Sequence, residues 1–179
     1  MLIRCVTMMV ARTRTERCFP VQKFQTKLFA DYFQFYLQDE TIPEIDPDLW
    51  TKEAVDRLLA VSAGYLMVGT VRNMTVPVTI EVFEREPPEE VGTWDQINEC
   101  GLEVPSGRIV VAGCTDYFPD AARISVPPGW YSVRVLYGNL DALSEDGLEG
   151  DDFYRVLLWP SDGPLSLTVV KQRKNASKG

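Results

Sequence analysis

Hydrophobic and polar residues alternate with a period of two over much of this chain, the pattern of strands that bury one face. The clearest instance is Arg123-Ile-Ser-Val-Pro-Pro-Gly-Trp-Tyr-Ser-Val-Arg-Val-Leu-Tyr-Gly138, where Tyr131, Val133, Val135 and Tyr137 fall on one face and Trp130, Ser132, Arg134 and Leu136 on the other. Pro127 has no N–H to donate, Pro128 presets φ, and Gly129 can take a positive φ, so a short strand, a tight turn and a long half-buried strand are predicted. Upstream, residues 24–38 predict one aromatic-rich strand, or two with a bulge, in which Phe33, Phe35 and Leu37 alternate with Gln34, Tyr36 and Gln38. Strands over 65–71 and 74–83 are expected to form a hairpin at Arg72-Asn73, with Pro77 favouring an edge or a bulge. A second hairpin is expected between 94–104 and 108–112, and further strands over 153–159 and 165–170.

One segment is helical in pattern. Thr51 is a good N-cap, Glu53 and Asp56 suit the positive end of the helix dipole, and Val55, Leu58 and Leu59 share a side; Gly64 is the expected stop. Many short strands with Gly/Pro turns and one helix predict a mainly β fold, an antiparallel β-sandwich (or partly open barrel) with one short α-helix. A single domain over 21–171 is expected, between a poorly ordered basic tail over 1–20 and a basic C-terminal tail over 172–179.

Charge and composition narrow the function. The net charge is −8, yet residues 1–20 carry four Arg against one Glu and residues 171–179 add four cations, so the acidity lies in the body between them. A surface of that sign disfavours direct nucleic-acid binding and suits a basic protein partner. Histidine is absent, which excludes Ser-His-Asp and Cys-His hydrolases and most zinc sites. Cys5, Cys18, Cys100 and Cys114 make no disulfide framework at this length and are read as free thiols. No apolar run spans a membrane, and Arg4 with the following arginines breaks a signal-peptide pattern, so a cytoplasmic location is expected.

The remaining candidate chemistry is carboxylate and aromatic. Asp116 and Asp120 flank one predicted loop, and Glu145, Asp146, Glu149, Asp151 and Asp152 crowd another. Such clusters can build a calcium site or a glycosidase-like pair, but the ligand order of an EF-hand is missing and acidic loops are usually solvated turns; neither a metal nor a cofactor is expected. Trp50, Trp94, Trp130 and Trp159 are expected mostly in the core between sheets rather than in a sugar-binding platform. Tyr117 and Phe118, set among polar loop residues, are the exposed anchors for a protein partner.

Three stretches, Phe33-Gln-Phe-Tyr-Leu37, Ala63-Gly-Tyr-Leu-Met-Val-Gly-Thr70 and Arg123-Ile-Ser-Val-Pro-Pro-Gly-Trp-Tyr-Ser-Val-Arg134, resemble the competence-protein-J-like group of small acidic bacterial nuclease inhibitors. The resemblance spans about 24–170 and carries no catalytic signature; Trp159-Pro160 and the 139–152 loop lie outside its pattern. It implies a non-catalytic β-sandwich that acts as an immunity protein or inhibitor and occupies the basic cleft of a cognate nuclease or toxin. A partner surface over Tyr117, Phe118, Asp120, Glu145, Asp146, Glu149, Asp151 and Asp152 is the corresponding expectation. Another protein-interaction module and a carbohydrate-binding sandwich are the alternatives.

Overall fold

The computed structural model describes residues 20–42, 46–88 and 91–174, so all but the last residue of the expected tail over 1–20 lies outside the described residues. Two sheets face each other. The first orders its strands β1 (Gln22–Phe29), β5 (Thr75–Val82), β10 (Phe153–Ser161), β9 (Gly129–Gly138), β6 (Gln96–Val104) and β11 (Thr168–Lys171). The second orders β3 (Leu59–Ser62), β4 (Tyr65–Gly69), β2 (Gln34–Asp39), β7 (Arg108–Gly113) and β8 (Ala122–Ser125). All pairings are antiparallel except β5 with β10, which makes the larger sheet mixed. The sheets do not close into a barrel.

The expected alternation is met where it decides the core. Tyr131, Val133, Val135 and Tyr137 turn inward to meet Val78, Ile80, Tyr154, Val156 and Leu158 from the same sheet and Phe35, Leu37, Leu66, Val68 and Val111 from the other. The opposite face of β9 is also buried, contrary to the half-buried expectation: Leu136 joins Phe83, Trp94, Ile97, Leu157 and Trp159 in a second cluster. Arg134 lies over the Trp159 ring, 5.1 Å from its centroid, and donates to Glu99 at 2.6 Å. A third cluster, Ala54, Ala60, Tyr65 and Met67 with Trp50 against it, covers the outside of the smaller sheet. Trp94 and Trp159 therefore pack outside the larger sheet and Trp50 outside the smaller one; tyrosines fill the space between.

Three local expectations are corrected. The helix α1 (Lys52–Arg57) starts as predicted, with the Thr51 side chain accepting from Ala54 N, but ends at Leu58 in the left-handed conformation. Beyond it Leu59–Ser62 is a strand, and Gly64 at φ +77° makes the turn to β4. The helical reading overran because Leu58, Leu59 and Val61 fit either period over so short a run. Neither predicted hairpin forms: β4 and β5 lie in different sheets, as do β6 and β7, so 70–74 and 105–107 are crossings between layers. The 126–128 turn likewise joins β8 to β9 across the sandwich. Pro77 is not on an edge strand; pairing of β5 with β10 begins only at Val78, so Pro77 lies beyond the stretch flanked on both sides.

Cys100 and Cys114 are free thiols in opposite sheets or their connections. Burial pushes the Cys100 thiol up to about 12, which leaves it un-ionised and inert. At the C-terminal side, Gln172 donates to Asp56 O at 2.9 Å and Arg173 to Leu140 O at 3.2 Å, so the start of the expected tail is tied to the domain. No helix among the described residues is long and apolar enough to cross a membrane.

Candidate functional site

Strand direction gathers the loops of interest at one end of the sandwich. Phe29 lies opposite Thr75, Gly138 opposite Phe153, Gln34 opposite Gly69 and Phe35 opposite Gly113. The connections 30–33, 70–74, 114–121 and 139–152 therefore all emerge at the same pole. The two groups of residues chosen from the sequence, Tyr117, Phe118 and Asp120 on one side and Glu145 to Asp152 on the other, share this pole, separated by the turn over 30–33 and the crossing over 70–74.

Hydrogen bonds link these loops in sequence across the pole. The Tyr36 hydroxyl and the Cys114 thiol lie 2.7 Å apart, and the thiol donates to Asp31 O at 3.1 Å, pinning 114–121 to the turn. The Gly113 N–H is taken by Asp116 Oδ2 at 2.7 Å, and a Cβ at Gly113 would come 2.3 Å from Phe29 O, so glycine permits this close approach. Ala30 N donates to Met74 O at 3.1 Å, Phe33 N to Asn73 Oδ1 at 3.3 Å and Thr70 N to Phe33 O at 2.8 Å. Arg72 then reaches the last loop: Nη1 donates to Leu148 O at 3.2 Å and Nε to Asp152.

Asp152 is accordingly no surface group. It is 0% exposed, paired with Arg72, and accepts from the Tyr154 hydroxyl at 2.8 Å. That hydroxyl in turn accepts from Val71 N at 2.9 Å. Burial, and then the Asp152 charge, push the Tyr154 phenol up, so it stays a donor to the carboxylate at any ordinary pH. Glu145, Asp146, Glu149 and Asp151 remain exposed on the rim. Asp146 also orders its own loop, accepting from Ser144 Oγ at 2.6 Å and Leu148 N at 3.1 Å, which hold its carboxyl below the usual range. Between this loop and β1 lies an open recess of about 790 Å³ lined by charges of both signs, including Lys27, Glu149 and Asp151.

On the other side Tyr117 is 71% exposed, while Phe118 is half-buried beneath the Arg123 guanidinium, which sits 5.6 Å from its ring centroid. Asp120 is exposed. Between the two groups stand side chains the sequence did not single out: Tyr32, 74% exposed, and Phe33, 52% exposed. Both have positive φ, 55° and 58°, uncommon for bulky residues and retained where surrounding contacts impose it. Phe33 thus leaves the strand alternation in which it was expected. A phase change marks the break: inward positions are even-numbered through Leu28 and odd-numbered from Phe35.

No family model and no curated protein sequence matches this chain. Among solved structures, it is similar to ComJ from Bacillus subtilis, described as an inhibitor of the DNA-degrading activity of NucA, with a TM-score of 0.60 at 17% identity over 78% of this chain and 98% of that one. The chain and ComJ share one fold. A second structure, described as crocagin biosynthetic gene J, superposes with a TM-score of 0.51 at 20% identity, covering 78% of this chain and 96% of that one. Both matches take in nearly the whole of the other chain, so the sandwich itself is the shared unit.

Chemically, the pole offers carboxylates and aromatic surface. Among the described residues no three His, Cys, Asp or Glu side chains converge as ligands for a metal ion. The tryptophans do not form a common platform for a sugar: Trp94 and Trp159 are buried outside the larger sheet, and Trp50 lies against the smaller one.

Proposed function

We propose that this protein is a non-catalytic inhibitor, of the immunity type, that binds a basic nuclease or nuclease toxin and covers its phosphate-binding cleft. The observation that carries the reading is the convergence, on the ComJ-like fold, of exposed carboxylates and unburied aromatic side chains at one pole. A cleft built for phosphates presents basic side chains; Glu145, Glu149 and Asp151 supply opposite charge, and Tyr117 with the half-buried Phe118 supplies area that can be desolvated. Opposite fields also speed encounter, and that contribution falls with salt. The free thiols Cys100 and Cys114 fit a reducing compartment and support our proposal of a cytoplasmic location.

The test uses the purified protein as bait in extract of the cell that makes it, with degradation of plasmid DNA as readout. Wild type is expected to retain a DNA-degrading activity and to suppress it, more strongly at low salt. The combined Glu145→Lys, Glu149→Lys and Asp151→Lys variant, which spares the loop-ordering Asp146, is expected to bind roughly tenfold or more weakly with an unchanged melting temperature. Retention of no nuclease by the wild type overturns the inhibitor reading; an unaltered affinity in the variant removes the 145–151 rim from the interface.

A further inference from the structure

Resting on the inhibitor reading, the geometry points to a specific anchor at this pole. We infer that the concavity beside the 30–33 turn receives an apolar side chain of the nuclease, carried on a cationic segment. The concavity has a volume of about 350 Å³ and is walled by Tyr32, Phe33, Trp50, Val55, Leu58 and Gly69. Its floor exists because Gly69 has no side chain: Gly69 N donates to Leu58 O at 2.8 Å, and a Cβ there would lie 3.1 Å from the Leu58 backbone.

Three features make this a binding feature rather than incidental apolar surface. Tyr32, Phe33 and Val55 are each more than half exposed and line the same concavity, so they form one apolar patch rather than scattered single residues. The turn is held from two sides, by the 70–74 crossing through Ala30 to Met74 O and Phe33 to Asn73 and Thr70, and by the Cys114 thiol on Asp31 O. Its backbone is therefore ordered before binding, which lowers the entropy cost of presenting the two aromatics. The flanks are acidic: Asp31 within the turn, Asp116 beside it, and Glu53 on the exposed face of α1, while Lys52 is taken up by Asp56 at 2.7 Å. An apolar centre with a rim of carboxylates selects an apolar side chain flanked by Lys or Arg. Thr70 lines this concavity and Arg72 lines the recess beside the 145–151 rim, so the 70–74 crossing runs between the two.

Two variants test this with the retained-nuclease assay. Tyr32→Ser combined with Phe33→Ser removes the anchor surface, and Val55→Arg, on an exposed helix position that leaves the turn intact, puts a like charge at the mouth. Each is expected to lower affinity roughly tenfold or more, as for central aromatic anchors at interfaces, with melting temperature controlling for folding. Wild-type affinity in Val55→Arg overturns the anchor while the inhibitor reading stands, provided that wild type still retains nuclease. If wild type retains none, both fail. Elution of the wild type as a dimer that Val55→Arg dissociates overturns the inference by making a second copy the occupant.

Discussion

Arg72→Met is expected to lower stability by about 3–5 kcal/mol, because it strands a buried carboxylate without its counter-ion. Asp152 is 0% exposed and the Arg72 side chain only 8%, so solvent cannot substitute for the lost partner. For a chain of this size the melting temperature should fall by roughly 10 °C in a thermal denaturation scan. The Tyr154 hydroxyl, still donating to Asp152, compensates only in part. Adding Asp152→Leu to Arg72→Met should restore most of the loss, since replacing a whole buried pair with apolar groups is far cheaper than breaking it. A double variant no more stable than the single one would show that the cost lies in packing around Arg72, not in the unpaired charge. The functional consequence follows from position: this pair holds the 139–152 loop to the 70–74 crossing, so the single variant should also loosen the acidic rim.

The second large effect is expected at the opposite pole. Asp39 is 0% exposed and accepts from Thr41 N and Ser106 N at 2.9 Å each, from Ser106 Oγ at 2.6 Å and from Thr41 Oγ1. It thereby fastens the 105–107 crossing to the end of β2. Asp39→Ala leaves these donors unpaired or returns them to water, for a loss of about 2–4 kcal/mol in denaturant unfolding. The same carboxyl gives a pH dependence. Burial raises its pKa, but hydrogen bonds from Ser106 and Thr41 outweigh that and hold it below 3.8. A depressed folded-state pKa stabilises fully above the unfolded value and the contribution is lost as pH falls through the folded one. The wild type should therefore lose stability relative to Asp39→Asn only as pH drops below about 4; a difference between the two that does not change with acidification would contradict this.

These two carboxylates show where sequence reasoning reached and where it ended. Asp152 read as one more member of an acidic loop, and only the approach of Arg72 from the 70–74 crossing, 80 positions away, makes it a buried ion pair. Asp39 is a structural acceptor for the same reason, because Ser106 reaches it from 67 positions away. Tyr32 and Phe33 were hidden inside an aromatic run whose average pattern was that of a strand, and the phase change between Leu28 and Phe35 was the one local trace of the turn. The exposure of Tyr117 was legible because its polar neighbours left it no strand to belong to, whereas Phe118, expected to be exposed as well, is half-buried beneath Arg123.

What the sequence determined by itself was whatever depends on neighbours one or two positions apart. Period-two alternation is set by the pleat, so it identified Tyr131, Val133, Val135 and Tyr137 as core and a mainly β sandwich as the fold. The start of α1 at Thr51 was equally local, a side-chain cap on a free N–H. Composition, with no histidine and an acidic body, removed whole classes of chemistry before any fold was considered. Only the tertiary structure decided which strands share a sheet. A turn such as Arg72-Asn73 looks the same whether the chain returns within one sheet or crosses to the other, because the choice is made by long-range burial of both strands. That choice turned expected hairpins into crossings, brought four loops to one pole, and placed Tyr32 and Phe33 between the two acidic groups.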